Sequence, residues 1–174
     1  MTNEENCRKF AFAAFPMAFL VNIVTSFMFA TQNTREWWHS ALIPVNACAE
    51  ATAVGLSFTI LLCALMVKHE VFVEYSDGIR LMARLAAAAI AAYIVMSFIE
   101  IVPLAWSGTQ ESSHLLHLIF HTYGLLFWLE ILLPLLAMIL FLVGGGLGKE
   151  LVSAASVLGI IGIFIQRMML LLPA

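Results

Sequence analysis

Five apolar runs, each long enough to cross a membrane, constrain the fold of this chain more than any other feature. They occupy residues 10–30, 41–67, 82–106, 116–143 and 151–172. A helix needs about 20 apolar residues to span a hydrocarbon core of about 30 Å. Only 11% of the residues are charged, whereas soluble domains have about 25%. We therefore predict an all-α, polytopic membrane helix bundle of about five transmembrane helices, forming a single membrane domain over residues 1–174.

Lysine and arginine predict the orientation of this bundle. Six of the eight basic residues fall on the side of the N-terminus, and Arg35 and Arg167 fall on the other side. Because basic residues favour the cytoplasmic side of a membrane, we predict a multi-pass integral membrane protein with its N-terminus inside and its C-terminus outside. The net charge of −3 and the lack of a basic patch argue against a nucleic-acid partner.

Four ionisable residues lie inside the apolar runs: Glu50, Glu100, Glu130 and Arg167. An ionised carboxylate in hydrocarbon costs roughly 2.5–3.5 kcal/mol on insertion scales, so such residues usually face the bundle interior and serve a function. At about 1.5 Å per residue, Glu100 is expected about 9 Å from the outer end of its helix, Arg167 about 7 Å, Glu50 about 14 Å and Glu130 about 20 Å, near mid-membrane. Asn22 lies at a similar outer depth. We therefore predict a common polar cluster in which Arg167 offsets one or more carboxylates.

Small and polar residues give each run an inward face, because residues three and four positions apart share one side of a helix. Small residues also let helices approach closely in lipid. Tyr93 shares its face with Glu100 and joins the candidate site residues. The five predicted faces are Ala18, Asn22 and Thr25; Asn46, Glu50, Ala53 and Ser57; Ala86, Ala89, Tyr93, Ser97 and Glu100; Tyr123, Phe127, Glu130 and Pro134; and Ala155, Gly159, Gly162 and Gln166.

Three histidines at the start of the fourth run are weak candidates for metal or haem ligands. His114, His117 and His121 are spaced by three and four residues and are expected to share a helix face. The alternative is a polar helix start at the interface that contacts a partner. The three cysteines are widely spaced and form no CxxC. We expect no haem and no iron–sulfur cluster in this chain.

Five segments occur in an order and spacing typical of one protein family. They are FPMAFLVNIVTSFMFATQ (15–32), WHSALIPVNACAEATAVGLS (38–57), FIEIVPLAWSG (98–108), FWLEILLPLL (127–136) and IGIFIQRMMLLL (161–172). Together they resemble the C-terminal half of the NrfD/polysulfide-reductase family of membrane subunits, which includes relatives in alternative complex III. The resemblance covers nearly the whole chain.

The resemblance implies a membrane anchor subunit of a quinone-linked respiratory oxidoreductase in a bacterial or archaeal cytoplasmic membrane. Such a subunit is non-catalytic by itself and helps to form a quinone or proton-transfer environment beside an iron–sulfur partner. The expected cofactor is menaquinone or ubiquinone, held at an interface with another chain. The expected partners are a second membrane subunit that completes the bundle, an iron–sulfur protein, a molybdopterin catalytic subunit and lipid.

In this comparison Glu100, Glu130 and Arg167 match family positions associated with proton movement. The proton-transfer or quinone-site candidates are therefore these three residues with Glu50, Asn22 and Tyr93. The sequence departs from the family at three positions: Asn22 replaces a common histidine, Met28 stands where some relatives have an acidic residue, and Gln166 stands where glutamate is common. Family members usually contain two helix bundles, whereas this chain predicts one.

Two other functions stay open at this point. The first is a structural assembly subunit without quinone or proton chemistry. The second is a small transporter whose buried charges line a substrate path. The sequence shows no inverted repeat, which counts against the transporter.

Overall fold

A computed structural model of the chain describes residues 2–30, 42–66, 72, 75–144 and 148–171. Within these ranges the secondary structure is helical and contains no strand, which confirms the predicted all-α fold. The elements are α1 (Thr2–Ala30), α2 (Ile43–Met66), α3 (Ser76–Ser107), α4 (Gln110–His117), a π-helical turn (Leu118–Thr122), α5 (Gly124–Gly144) and α6 (Lys149–Leu171).

Five of the described helices are long and apolar enough to cross a membrane, as predicted. The spans are Arg8–Met28, Ile43–Met66, Ser76–Ser107, Gly124–Val143 and Lys149–Met169. The chain is therefore an integral membrane protein. Trp37, Trp38, Arg35 and His39 lie outside the described residues.

The third helix begins earlier than the apolar pattern predicts. We predicted its start at residue 82, but α3 begins at Ser76 and ends at Ser107. Asp77 occupies its first turn, where a carboxylate interacts favourably with the helix dipole, and lies 3.9 Å from Arg80. Gly108 ends the helix with a left-handed φ of 61°, a conformation that glycine adopts without steric cost.

The fourth predicted span, residues 116–143, is wrong at its start. The chain there forms α4 and then a π-helical turn, in which the Tyr123 N–H donates to the Leu118 carbonyl at 2.8 Å. The spanning helix α5 begins only at Gly124, so the polar residues from His117 to Tyr123 lie outside it. Glu130 is thus six residues into its helix, about 9 Å from the end at about 1.5 Å per residue. The predicted distance of Glu130 from the helix end, about 20 Å, is therefore corrected to about 9 Å.

The chain divides into two compact units, Met1–Cys48 and Ala49–Ala174. The single domain inferred from the sequence stays a prediction. In the first unit the Asn22 Nδ2 atom donates to the Ala47 carbonyl at 3.0 Å. Ser26 is buried in α1, whereas Ala18 and Thr25 are exposed. The inward face predicted from Ala18, Asn22 and Thr25 is therefore corrected to the edge that carries Asn22 and Ser26.

Close helix packing holds the second unit together. A methyl group on Gly162 of α6 would overlap the Pro134 ring of α5, so the absence of a side chain lets these two helices approach. A Cβ on Gly159 would lie 3.5 Å from both Ala137 Cβ and Ser57 Oγ. The small residues predicted to face inward on α6 therefore do so, and α6 packs on α5 and on α2.

Candidate functional site

Four charged residues within the spans of the second unit lie near helix ends. Glu50 is seven residues after the start of α2, and Glu100 is seven residues before the end of α3. Glu130 is six residues after the start of α5, and Arg167 is four residues before the end of α6. At about 1.5 Å per residue these positions are about 6–10 Å from the helix ends. Since successive spans run in opposite directions, all four ends belong to the same membrane face.

Glu50 and Arg167 form an ion pair between α2 and α6. The Glu50 Oε2 atom lies 2.6 Å from Arg167 Nη2, although this contact lacks hydrogen-bond alignment. The Glu50 side chain is 4% exposed and the Arg167 side chain 40% exposed. Gln166 is within hydrogen-bonding reach of the same carboxyl group. The pair therefore has a buried acidic end and an accessible basic end.

Three carboxyl groups share this region. Glu50, Glu100 and Glu130, on α2, α3 and α5, are close enough for their charges to interact with one another. The buried Tyr93 phenol of α3 lies within electrostatic range of all three. A carboxyl group loses its charge by binding a proton, so three neighbouring acids, one of them paired with a guanidinium, have the composition of a site that holds protons.

Several buried polar atoms of the second unit have no hydrogen-bond partner among the described residues. An unsatisfied buried polar atom costs about 1–3 kcal/mol. These atoms therefore favour a site that binds a polar molecule, such as water or the head of a ligand. They are Ser57 Oγ, Tyr93 OH, Glu100 Oε1, Glu130 Oε2 and Gln166 Oε1.

An open groove of about 290 Å³ lies between α2 and α6, with the ion pair at its polar end. The other lining residues are apolar and come from both helices: Ala51, Val54, Ile160, Ile163 and Phe164. Ligand sites are typically apolar clefts with a few polar groups that fix the orientation of the ligand. The groove has this composition.

Two further sets of predicted site residues are described separately. Asn22 belongs to the first unit, where its amide binds the Ala47 carbonyl and lies 3.9 Å from Cys48 Sγ. The three histidines precede α5, and all three are exposed. Two of them, His117 at the end of α4 and His121 in the π-helical turn, stack with their ring centroids 4.6 Å apart. In the part of the chain that the structure describes, no three His, Cys, Asp or Glu side chains come together as a metal site.

Two polar residues of this region, and one of the first unit, were not among the predicted site residues. Ser57 follows Glu50 by seven positions on the same face of α2, and Gln166 directly precedes Arg167. Asn46, four positions before Glu50, is buried, and its Oδ1 has no hydrogen-bond partner among the described residues. The helical spacing of Asn46, Glu50 and Ser57 was the signal that could have identified two of them.

Comparison with known proteins supports the resemblance seen in the sequence. No curated protein matches the chain significantly. The family model described as "Polysulphide reductase, NrfD" matches residues 2–174. Because this match covers nearly the whole chain, the protein belongs to the NrfD family of polysulphide reductases.

Proposed function

We propose that this chain is the membrane subunit of a quinone-linked respiratory oxidoreductase and that its polar cluster exchanges protons with the quinone. Family membership implies a membrane subunit of a respiratory oxidoreductase. The observation that carries the finer proposal is the α2–α6 groove, because its apolar walls end at a buried ion pair. Glu50 at that pair is in electrostatic range of Glu100 and Glu130.

The groove suits the head of a quinone. Its volume of about 290 Å³ is near the lower end of the roughly 300–1,000 Å³ typical of ligand pockets. That space suits a substituted ring, and the open side lets an isoprenoid tail continue into lipid. The accessible Arg167 guanidinium would donate a hydrogen bond to a ring carbonyl, and Phe164 and Ile163 would contact the ring. A bound quinone would supply chemistry that couples two electrons to two protons.

The protein groups would then hold and pass protons. Glu50 is nearest to the groove, and its ion pair keeps the carboxyl oriented toward the polar end. Glu100 and Glu130 would receive protons from Glu50 or return them, with Tyr93, deeper on α3 and within electrostatic range of all three acids, as a hydrogen-bonding group. General acid–base catalysis by positioned side chains typically contributes about 10²–10⁴-fold to a rate.

The proposal requires partners. Electrons would pass between the quinone and an iron–sulfur protein that docks on the membrane subunit, with a molybdopterin subunit as the catalytic partner. A second membrane subunit or a second copy of this chain would complete the bundle. We place the assembly in a bacterial or archaeal cytoplasmic membrane, with menaquinone or ubiquinone as the substrate.

The proton role is tested by removing one carboxyl group. In the assembled complex, Glu100→Gln should lower quinol-coupled turnover by about tenfold or more, as expected for loss of a group that transfers protons. The matched control is Glu150→Gln, which makes the same chemical change at an exposed position in the first turn of α6. Turnover in Glu100→Gln equal to that in Glu150→Gln would remove the proposed role.

The groove is tested by filling it. Ile160→Trp places a bulky ring in the groove, and we expect the KM for quinone to rise by about tenfold, or about 1.4 kcal/mol. Val157→Trp is the control, because Val157 is exposed on α6 and does not line the groove. Equal KM values for both variants and the wild type would place the quinone elsewhere.

These measurements also separate the alternative functions. A structural assembly subunit would lose complex formation without a change in turnover per assembled complex. A small transporter would purify without redox partners and move solute into liposomes. Purification with an iron–sulfur protein and a KM response in Ile160→Trp together support the quinone-linked function.

A further inference from the structure

The unpartnered buried polar atoms of the second unit are confined to one part of its depth. Measured from the face where α2 begins, the unpartnered polar atoms extend inward to Ser57 and Tyr93. Each of these residues lies fourteen positions from its helix end. This is about 21 Å at about 1.5 Å per residue. Polar groups thus reach from one face well into the bundle.

A completely buried apolar layer adjoins these atoms, since Ile90 Cδ1 and Ser57 Oγ both lie next to Gly159 of α6. Ile60 of α2, Ile90 of α3 and Phe141 of α5 each lie seventeen positions from the same face, and all three are fully buried. Ala155 of α6 lies sixteen positions from that face and is also fully buried. All four belong to one core cluster. Each of the four spanning helices of this unit therefore contributes a side chain to the layer.

Hydroxyl groups near this layer have their hydrogen bonds satisfied within their own helix. Ser156 donates to the Val152 carbonyl at 2.9 Å, and Ser153 donates to the Lys149 carbonyl at 2.7 Å. The Ser57 hydroxyl, in contrast, has no partner among the described residues. Below the layer the described core side chains include Ala64, Ala83 and Val152. These three side chains are apolar and cannot pass a proton.

Proton transfer needs a continuous series of hydrogen-bonding groups or water, and hydrocarbon provides neither. An ionised group at the centre of a bilayer costs at least about 2.5–3.5 kcal/mol. The apolar layer is therefore a barrier. On the other side of the cluster, Arg167 is four residues from the end of α6, or about 6 Å, so the cluster lies close to the face where α6 ends.

We infer that the polar cluster exchanges protons with only one face of the membrane, the face where α2 begins and α6 ends. The layer of Ile60, Ile90, Phe141 and Ala155 separates the cluster from the other face. The inference rests on the proposed proton role of the cluster. Protons used by quinone chemistry at this site would thus enter or leave on a single face, without crossing this unit.

Sided cysteine labelling in the assembled complex tests this inference. Starting from a background in which Cys7, Cys48 and Cys63 are replaced by serine, Ser97→Cys probes the polar region of α3. Ala87→Cys probes the apolar side of the same helix, ten positions deeper. Glu150→Cys, exposed at the other end of the unit, is the control for access from the opposite face. The reagent is a small, charged methanethiosulfonate, applied to sealed vesicles of each orientation.

We expect Ser97→Cys to react at least about tenfold faster from the α2-start face, because a charged reagent does not cross the apolar layer. Ala87→Cys should react from neither face, and Glu150→Cys only from the opposite face. Equal labelling of Ser97→Cys from both faces, labelling only from the opposite face, or no labelling would overturn the inference. Rapid labelling of Ala87→Cys would do the same.

A second measurement is made on the wild-type complex, with one variant for comparison. A potassium diffusion potential is imposed on proteoliposomes that contain a trapped pH dye. The dye should report proton entry no faster than in protein-free liposomes. A proton leak that Glu130→Gln abolishes would show a path through the cluster and contradict one-sided exchange. Neither measurement uses quinone turnover. Unchanged turnover in Glu100→Gln would therefore contradict the proposed proton role. The labelling pattern would still show from which membrane face the cluster is reached.

Discussion

At the scale of single residues, the ion pair between Glu50 and Arg167 couples stability to the candidate site. Glu50 is almost completely buried, whereas Arg167 retains contact with the surroundings. Removing one partner of a buried pair leaves an uncompensated charge and costs about 3–5 kcal/mol, whereas replacing both partners is often neutral. The exposed fraction of Arg167 reduces the expected cost here, because a partly exposed charge depends less on its partner.

We predict that Arg167→Gln lowers the melting temperature of the purified protein more than Glu50→Gln does. The loss of the cation strands the buried Glu50 carboxylate, at a cost of about 1–3 kcal/mol after the discount for exposure. The double variant should recover part of that loss, since neither charge then remains. Thermal unfolding in detergent measures all three variants. Additive losses in the double variant would show that the two residues do not interact.

The composition of the cluster could be predicted from the sequence, but its pairing could not. Glu50, Glu100, Glu130 and Arg167 stand out because charges are rare in apolar runs. Which carboxylate pairs with Arg167 depends on which helices are neighbours, and helical spacing within one span carries no such information. The groove was not foreseen for the same reason, since its two walls come from α2 and α6.

At the scale of helices, the spans were predictable and the start of α5 was not. A long apolar run identifies a membrane span. Unpaired backbone groups are costly in lipid, so such a run forms a helix in which these groups are hydrogen-bonded. It does not identify a break such as the π-helical turn, since Leu118, Ile119 and Phe120 continue the apolar pattern. The polar residues His117, His121 and Thr122 were the available signal. This break shifts Glu130 toward the membrane face and brings it to the depth of the other carboxyl groups.

Close contact between α5 and α6 gives a prediction at this scale. Gly162→Ala should destabilise the protein by about 1–3 kcal/mol, because the added methyl group overlaps the Pro134 ring and overpacks the helix interface. The control is Gly55→Ala on α2, where an added methyl group meets no atom within 4 Å. Alanine is favoured over glycine in helices by about 0.8–1.0 kcal/mol, so that variant should be neutral or more stable. Equal melting temperatures in detergent would contradict the packing.

At the scale of the whole molecule, the number of spans, five, predicts that the two ends of the chain lie on opposite sides of the membrane. The carboxyl cluster lies toward the end of the second unit where α6 ends. The distribution of lysine and arginine predicts which face is which, since six of the eight lie on the N-terminal side.

We predict that the N-terminus is cytoplasmic and the C-terminus external. A periplasmic phosphatase fused after residue 174 should be active, whereas the same enzyme fused at Lys149 should be inactive, because α6 separates these positions. Activity at Lys149 and none at the C-terminus would reverse the orientation and place the carboxyl cluster on the cytoplasmic side. Activity at both positions, or at neither, would contradict the span formed by α6.

The apolar layer has an electrical consequence. A membrane voltage acts mainly across the least polarisable part of its path, and moving one charge through 100 mV costs about 2.3 kcal/mol. Met66, the end of α2, is nine positions after Ser57, or about 14 Å, and most of the voltage should fall over that distance. The ion pair lies between that region and the membrane face where α2 begins. Its electrical potential is therefore almost that of this face. Proton occupancy of the cluster should therefore follow the acidity of one compartment and remain nearly independent of the membrane voltage.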